Sequence, residues 1–284
     1  MDKASGATSF HSDFCESPVI NGLSGEVSSN SQHEIYTKIK YAQYANDQTF
    51  TRKVIPNTVV EIEEKAFYEC RKLTSIFLPD KLESIGRDCF SECFSLEMIN
   101  IPDSVRFIRS DAFSNCKNLR YVKLPKNLKS IPYGMFHNCT KLTSVEIPIT
   151  VDNIQWGAFY RCESLAAISL PDGIRHIPTN CFYACKSLHN FTFAISEKDP
   201  YVTIGARALS NCINLVKVDL SCSSVYSIGE GCFAFCRSLE SVVLSKKQDT
   251  LSIMRFITVI HYYTLVMNIL HFMNLRVKGC LELM

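Results

Sequence analysis

The feature that most constrains this chain is a short phrase of sequence that returns at a fixed interval. The phrase reads Ala-Phe-x-x-Cys-x-x-Leu, first occupies residues 66–73, and occurs eight times in close variants, mostly at steps of 23 residues. A period between about 20 and 30 residues is typical of a solenoid, in which each unit is too small to bury its own core and must stack on its neighbours. The repeat therefore predicts a stack of short coils with one shared core.

Two columns of the aligned repeats are nearly constant. The aromatic column contains Phe67, Phe90, Phe113, Phe136, Phe159, Phe182, Leu209 and Phe233. The cysteine column contains Cys70, Cys93, Cys116, Cys139, Cys162, Cys185, Cys212 and Cys236. The last two steps of the aromatic column lengthen to 27 and 24 residues, so four extra residues enter near residues 197–200 and one near residues 221–224. We expect both insertions to lie in loops, which solenoids tolerate on one face.

Each unit also contains a short stretch in which apolar and polar residues alternate. Alternation with a period of two predicts a strand with one buried face. In the first unit Leu73, Ile76 and Leu78 are expected to point inward, whereas Ser75 and Phe77 point outward. A proline directly follows the stretch and ends the strand, because proline has no N–H for a ladder bond. The repeated phrase is then expected to form a helical or 3₁₀ turn that leads to the next strand.

Residues 96–116 read LEMINIPDSVRFIRSDAFSNC. Over residues 54–244 the chain resembles the BspA-type leucine-rich repeat family of surface antigen-like proteins, whose unit is approximately Leu-x-x-Ile-x-Leu-Pro-x-x-Leu-x-x-Ile-x-x-x-Ala-Phe-x-x-Cys-x-x. The resemblance implies an α/β repeat fold, a leucine-rich repeat solenoid with a short parallel β-sheet on one face and helical or 3₁₀ turns on the other. It also implies a non-enzymatic surface protein that binds host matrix proteins or other cells, without a shared active site.

The sequence divides into four segments by composition and period. Residues 1–33 are rich in Ser, Gly and Asn and are predicted to form a disordered polar tail, with no apolar run that would indicate a secretory signal. Residues 34–53 alternate weakly and are the candidate N-terminal cap that a solenoid requires. Residues 54–244 hold the solenoid of eight units, each of 23–27 residues. Residues 245–284 form an apolar C-terminal segment.

The C-terminal segment has three interpretations: a membrane anchor, a cap on the last coil, or an unstructured or non-native tail. Residues 256–275 contain no Asp, Glu, Lys or Arg and are long enough to cross a bilayer as a helix, with Arg276 next in the chain. Against a membrane anchor, Tyr262 and Tyr263 lie in the middle of the stretch, and His261 would place a polar group in the bilayer. The second interpretation is a hydrophobic segment that caps the last coil.

Charge and motifs exclude several classes of function. The chain has 30 basic and 28 acidic residues and a net charge of +2, which argues against a nucleic-acid partner. It contains no glycine-rich phosphate-binding motif, and the repeats assemble no Ser/His/Asp arrangement. We therefore predict no catalytic residue and no cofactor.

The cysteines invite a metal-site interpretation that the columns argue against. Of 14 cysteines, eight lie in the cysteine column. Cys89 and Cys93 are spaced like a metal-binding pair, but other units hold Ala66 or Ala112 at the position of Cys89, which indicates a modest apolar side chain. Thiols in adjacent coils would lie about 5 Å apart, within the Cα range for disulfides. An unbroken column nevertheless favours reduced thiols that satisfy backbone groups between coils.

The variable part of each unit is the outward face of the predicted strand. Solenoids present such surfaces for binding, and Tyr121 with Met98 and Phe77 forms an aromatic–apolar group that can anchor a partner. The candidate partner-binding residues are Phe77, Met98, Asn100, Tyr121, Lys123, Glu146, Asn190, Lys217 and Asp219.

Two functional hypotheses remain from the sequence. The first is an adhesin-like protein at the cell surface or on the membrane, which binds a host matrix or cell-surface protein through the outward sheet face. In this hypothesis residues 256–275 provide a possible membrane contact. The alternative is a cytoplasmic leucine-rich repeat scaffold that recognises a protein partner with the same face.

Overall fold

The computed structural model of the protein describes residues 37–193, 201–220 and 224–244. In this part of the chain, regular secondary structure consists of short strands, and no helix is present. The strands are β1 (Lys38–Ile39), β2 (Arg52–Val54), β3 (Glu61–Ile62), β4 (Ser75–Phe77), β5 (Ser84–Ile85), β6 (Met98–Asn100), β7 (Phe107–Ile108), β8 (Tyr121–Lys123), β9 (Ser130–Ile131), β10 (Ser144–Glu146), β11 (Asn153–Ile154), β12 (Ser169–Leu170), β13 (His176–Ile177), β14 (Asn190–Phe193), β15 (Tyr201–Ile204), β16 (Lys217–Leu220), β17 (Ser224–Ile228) and β18 (Ser241–Leu244).

The strands stack along two sides of the coils, and the pairs are parallel. The even-numbered strands form a five-stranded sheet in the order β10-β8-β6-β4-β2 and a four-stranded sheet in the order β12-β14-β16-β18. The odd-numbered strands form the sheets β1-β3-β5-β7, β11-β9 and β13-β15-β17. The predicted leucine-rich repeat solenoid with stacked parallel strands is confirmed, and the second stack of strands is an addition to it.

The Ala-Phe-x-x-Cys phrase folds as tight turns. In the first unit the Cys70 N–H donates to the Phe67 carbonyl at 3.2 Å, while the Phe67 N–H donates to the Cys89 carbonyl of the next coil at 2.9 Å. Lys65 and Glu69 flank the phenylalanine, each with a φ of 57°. Because left-handed residues cannot continue a right-handed helix, the backbone bonds alternately to its own coil and to the next. The described coils thus have turns where the sequence predicted helical or 3₁₀ segments.

The aromatic column forms the centre of the core. Its six phenylalanines from the first six units are fully buried, namely Phe67, Phe90, Phe113, Phe136, Phe159 and Phe182. Consecutive rings stack with centroids 5.3–5.9 Å apart and with planes within 25° of one another. Stacked pairs of this kind contribute about 0.5–1.5 kcal/mol beyond the area that they bury. The column therefore joins the coils as well as filling them.

The cysteine column forms a ladder of hydrogen bonds between coils. Each thiol donates to the carbonyl of the aromatic-column position one coil earlier, with Sγ–O distances of 3.0–3.3 Å. Cys116 donates to Phe90 in this way, and burial raises the pKa of the Cys116 thiol well above its usual range, so the donor proton is retained. The described cysteines are free thiols. They satisfy backbone carbonyls between the coils, as the sequence predicted.

The candidate N-terminal cap contains a divergent coil. Strand β1 pairs with β3, and Tyr44 takes the aromatic position and stacks on Phe67 with ring centroids 5.1 Å apart. Lys53 occupies the inward position of the edge strand β2, and its ammonium group lies 4.0 Å from the centre of the Tyr44 ring. An inward-pointing lysine on an edge strand discourages pairing with another chain. The capping role of residues 34–53 stays a prediction.

The one-residue insertion lies inside a strand. Val202 of β15 pairs with Val225 of β17, but the next residue of β15 pairs with Ser227, so Tyr226 is the extra residue. Its side chain is exposed, as expected for a bulged residue that leaves the ladder. The insertion is therefore a β-bulge, whereas the sequence predicted a loop insertion near residues 221–224.

Other predictions concern residues outside the described ranges. The polar tail of residues 1–33, the insertion near residues 197–200 and the apolar segment of residues 245–284, including residues 256–275, lie there. Within the described ranges, none of the chain forms a helix with the length and apolar character needed to span a membrane. The boundaries that divide the chain into four segments stay a prediction.

Candidate functional site

The outward face of the five-stranded sheet presents two columns of side chains in register. Met98 pairs with Tyr121 and Asn100 pairs with Lys123 between β6 and β8. Glu146 of β10 continues the second column, opposite Lys123. All five side chains are exposed, because successive residues of a strand point to opposite faces. The structure thus brings five of the candidate residues together on one face.

An apolar group lies at the β2 end of this face. It consists of Val54, Phe77, Met98 and Tyr121, which we call the apolar sheet patch, and these side chains are 69%, 51%, 47% and 38% exposed. Val54 pairs with Phe77, and Phe77 is a diagonal neighbour of Met98, because Met98 pairs with the residue two positions before Phe77. Contiguous exposed apolar surface of this kind marks interaction sites.

Charged groups border the apolar sheet patch. The Arg52 guanidinium lies 5.8 Å from the centre of the Phe77 ring, a cation–π distance. On the other side, Lys123 and Glu146 are register partners of opposite sign. An apolar centre with a polar rim is the usual anatomy of a protein interface, and Tyr and Arg are enriched among the residues that dominate binding.

The three remaining candidates lie on the four-stranded sheet. Asn190 of β14 pairs with Lys217 of β16, and Asp219 follows two residues later in β16. Lys217 Nζ lies 2.8 Å from Asp219 Oδ2, so these two charges interact with each other. In the described residues no strand pairing joins β10 to β12. The outward columns predicted from the sequence therefore divide into two groups on two sheets.

Two residues of the apolar sheet patch and its charged border, Arg52 and Val54, were not among the candidates. Arg52 falls in the predicted cap, and Val54 lies at its boundary. The signal was present in Pro56, which precedes the next proline of its column by 23 residues and places β2 in register with β4.

The outward face offers contact and hydrogen bonding. Across the described ranges, no cluster of three or more His, Cys, Asp or Glu side chains is close enough to hold a metal ion. Two histidines are engaged locally, since His176 Nδ1 lies 2.5 Å from Thr203 Oγ1 and His189 Nδ1 lies 2.6 Å from the Ser187 carbonyl. The chemistry at the face itself is therefore apolar contact, cation–π contact and ion pairing.

The chain matches one family model along most of the described coils. The model is that of the BspA type leucine-rich repeat region, and it matches in six copies over residues 37–166 and 152–269. The match includes the divergent coil that contains Tyr44.

Solved structures of leucine-rich repeat proteins are similar to this chain. A leucine-rich cell surface protein from Faecalibacterium prausnitzii is 27% identical with a TM-score of 0.57, over 78% of this chain and 69% of its own. A leucine-rich repeat protein from T. pallidum is 27% identical with a TM-score of 0.51, over 74% of this chain and 83% of its own. No curated protein sequence matches the chain.

The repeat columns, the parallel stacks and the family match agree with one another. The aromatic and cysteine columns provide the core and its ladder, and the family model recurs at the same coils. The chain belongs to the BspA-type leucine-rich repeat family.

Proposed function

We propose that this protein binds a protein partner through the apolar sheet patch and its charged border, without catalysing a reaction. The observation that carries the proposal is the exposure of Phe77, Met98 and Tyr121 on adjacent strands. Fully burying one such side chain contributes about 1.5–3 kcal/mol. A partner that covers all three would therefore gain much of its affinity here. Membership of a family that is usually non-catalytic supports a binding role.

The patch is built on a rigid support. Its side chains alternate with inward residues such as Ile76, Ile99 and Val122, which are buried in the core. The strands that carry them are fixed by parallel ladders on both sides. A partner meets side chains that are already in position, so less entropy is lost on binding.

A cell-surface or membrane-associated location is part of the proposal. It is supported by the similarity to the leucine-rich cell surface protein from Faecalibacterium prausnitzii, and the partner would then be a host matrix or cell-surface protein. The alternative is a cytoplasmic scaffold, which the free thiols favour because reduced cysteines persist in reducing compartments.

Protease treatment of intact cells should remove the coils from a surface protein. Survival of the intact chain would favour the cytoplasmic alternative.

The binding face is tested with the full-length chain and variants matched to its columns. Met98→Ser and Tyr121→Ser introduce the residue that Ser75 and Ser144 hold in the same column, so the sheet should be retained. A partner isolated with the wild type should bind the double variant about tenfold more weakly or worse. Phe107→Ser, which changes an exposed ring on β7, is the control and should bind normally. Equal binding by all three proteins would contradict the proposal.

A further inference from the structure

Five aromatic rings are stacked on the turn side of three consecutive coils. They belong to Tyr133, His137, Trp156, Tyr160 and Tyr183, which we call the aromatic ridge. Tyr133 stacks on Trp156 with ring centroids 5.1 Å apart, and Tyr160 lies 4.8 Å from both His137 and Tyr183. Within one coil the rings of Trp156 and Tyr160 are 6.4 Å apart and parallel to within 11°. The ridge is separate from the sheet residues proposed above.

The ridge occupies positions that are small in neighbouring coils. The column of Trp156 holds Ser110 and Thr179, and the column of Tyr160 holds Ser114. Trp156 is 36% exposed, so burial in the core does not explain its presence. Exposed tyrosine and tryptophan rings, each with an apolar body and a polar tip, are enriched at binding interfaces.

A glycine leaves space beside these rings. Gly157 directly follows Trp156 and has a φ of 61°, but the conformation alone does not require glycine, because Lys65 and Asp111 have a φ of 57° in the same column. A Cβ at Gly157 would meet only the Cβ of Tyr160, at 3.8 Å, apart from its chain neighbours. The space next to Trp156 and Tyr160 is therefore kept free of a side chain.

The polar tips of the ridge are available hydrogen-bond donors. A tryptophan Nε1–H only donates, and a tyrosine hydroxyl can donate. In the described part of the chain, the Trp156 Nε1–H and the hydroxyls of Tyr160 and Tyr183 form no hydrogen bond. Burial, together with the charge of Arg161, lowers the pKa of His137, so its ring is neutral at neutral pH. A matching ligand would combine an apolar body with hydrogen-bond acceptors.

We infer that the aromatic ridge binds a proline-rich peptide segment in the polyproline II conformation. Such a segment offers apolar rings and backbone carbonyls, and its prolines carry no N–H that would need an acceptor. Polyproline II has three residues per turn and rises about 3.1 Å per residue, so prolines three apart lie about 9.3 Å apart on one face. His137 and Tyr183 are separated by two ring-to-ring steps of 4.8 Å each, which nearly matches this repeat. A segment lying across the coils would present a proline to every second coil.

A neutral glycan is the competing ligand for exposed aromatic rings. Sugar hydroxyls both donate and accept, so a glycan site needs acceptors as well as donors. Near the ridge, Gln155 Oε1 already accepts from the Tyr133 N–H at 2.9 Å, and Asn115 Oδ1 accepts from Asn138 Nδ2 at 2.7 Å. The tyrosine hydroxyls of the ridge can accept as well as donate, so the choice rests on geometry: the two ring steps of 4.8 Å match the polyproline II repeat and favour the proline-rich segment.

The single tryptophan provides a direct test. Trp156 is the only tryptophan of the chain, so tryptophan fluorescence reports on the ridge alone. Decaproline added to the full-length protein should change the emission of Trp156 and reach saturation. Cellohexaose serves as the glycan probe. A response to cellohexaose without one to decaproline, or no response to either probe, would overturn the inference.

Two variants separate loss of contact from loss of fold. Tyr160→Ser removes one ring and introduces the residue that Ser114 holds in the same column. Gly157→Asn keeps all five rings but fills the space beside them, and the column accepts asparagine because Asn180 occupies it with a φ of 57°. Both should unfold cooperatively, and both should bind labelled decaproline about tenfold more weakly or worse, measured by fluorescence anisotropy. Met98→Ser, on the sheet face, is the control and should bind like the wild type. Unchanged affinity in both ridge variants would refute the inference.

Discussion

At the scale of single residues, each phenylalanine of the aromatic column packs between two others. The Phe113 ring lies 5.4 Å from that of Phe90 and 5.9 Å from that of Phe136, between centroids. We expect Phe113→Ala to lower the free energy of unfolding by about 3–5 kcal/mol, measured by urea denaturation, because it leaves a cavity between rigid neighbours. Phe107→Ala, at an exposed ring, should change it by less than about 0.5 kcal/mol. A loss below about 1 kcal/mol at Phe113 would contradict its place in the core.

The ladder thiols give the protein an alkaline limit of stability. Burial raises the pKa of the Cys116 and Cys162 thiols well above their usual range. An unfolded thiol ionises near pH 8.5, so above that pH the unfolded state loses protons that the folded state keeps. Stability should therefore be constant below this region and fall above it, by up to about 1.4 kcal/mol per pH unit for each thiol.

The prediction is measured by urea unfolding between neutral pH and about pH 10, with Cys116→Ala as the matched variant. The free energy of unfolding of the variant should fall less steeply with pH, because the unfolded state then releases about one proton fewer. Parallel curves for the two proteins would mean that the native Cys116 thiol is ionised as readily as an unfolded one.

At the scale of secondary-structure elements, the bulge in β17 contains one extra residue, Tyr226, whereas the residues on either side of it pair with β15. Deleting Tyr226 restores the 23-residue step without removing an inward side chain. We expect the melting temperature to stay within a few degrees of that of the wild type, since surface changes usually alter stability by less than about 0.5 kcal/mol. Deleting the buried Val225 instead moves Tyr226 to the inward position and should cost about 1–3 kcal/mol through overpacking. Equal losses in the two variants would place the extra residue elsewhere.

The sequence predicts the main strands well because alternation and a fixed step act together. Ile76 and Phe77 lie inward and outward as expected, and the same holds one unit later. The second stack of strands was missed because each strand of two residues, such as β5, contains a single inward side chain and shows no alternation. The turns were misjudged because residues such as Lys65 and Glu69 adopt the left-handed conformation without the usual glycine signal.

The candidate site was predicted only in part for a related reason. Columns identify which residues face outward, and Met98 and Tyr121 were found in this way. The break between β10 and β12 is not visible in the columns, so residues on two sheets were combined. The aromatic ridge was missed because its rings lie at positions that carry no repeat signal, and stacking between coils becomes apparent only from the ring distances.

At the scale of the whole molecule, the hydrogen bonds between coils in residues 37–193, 201–220 and 224–244 join each coil to the one directly before or after it. Deleting residues 113–135 removes one 23-residue unit and joins Ala112 to Phe136, so the Cys139 thiol should reach the Phe90 carbonyl. We expect a folded, less stable protein with a cooperative urea transition, because solenoid stability is roughly a sum over units and their interfaces. Deleting residues 113–134 instead joins Ala112 to Met135 and leaves one extra residue in a turn where both side chains are buried, so the transition should move to a lower urea concentration than in the 23-residue deletion. Similar transitions in both deletions would contradict a fixed 23-residue register.

The lysine at the inward position of β2 also has a genetic consequence. Unequal recombination between repeats adds or removes whole units, and the products keep their core wherever the exchange falls between two ordinary coils. A copy of the first coil placed inside the stack would bury the Lys53 ammonium group between apolar neighbours, where an unpaired charge is strongly unfavourable. Lineages of this protein are therefore expected to vary in the number of inner repeats while keeping a single copy of the coil that carries Lys53.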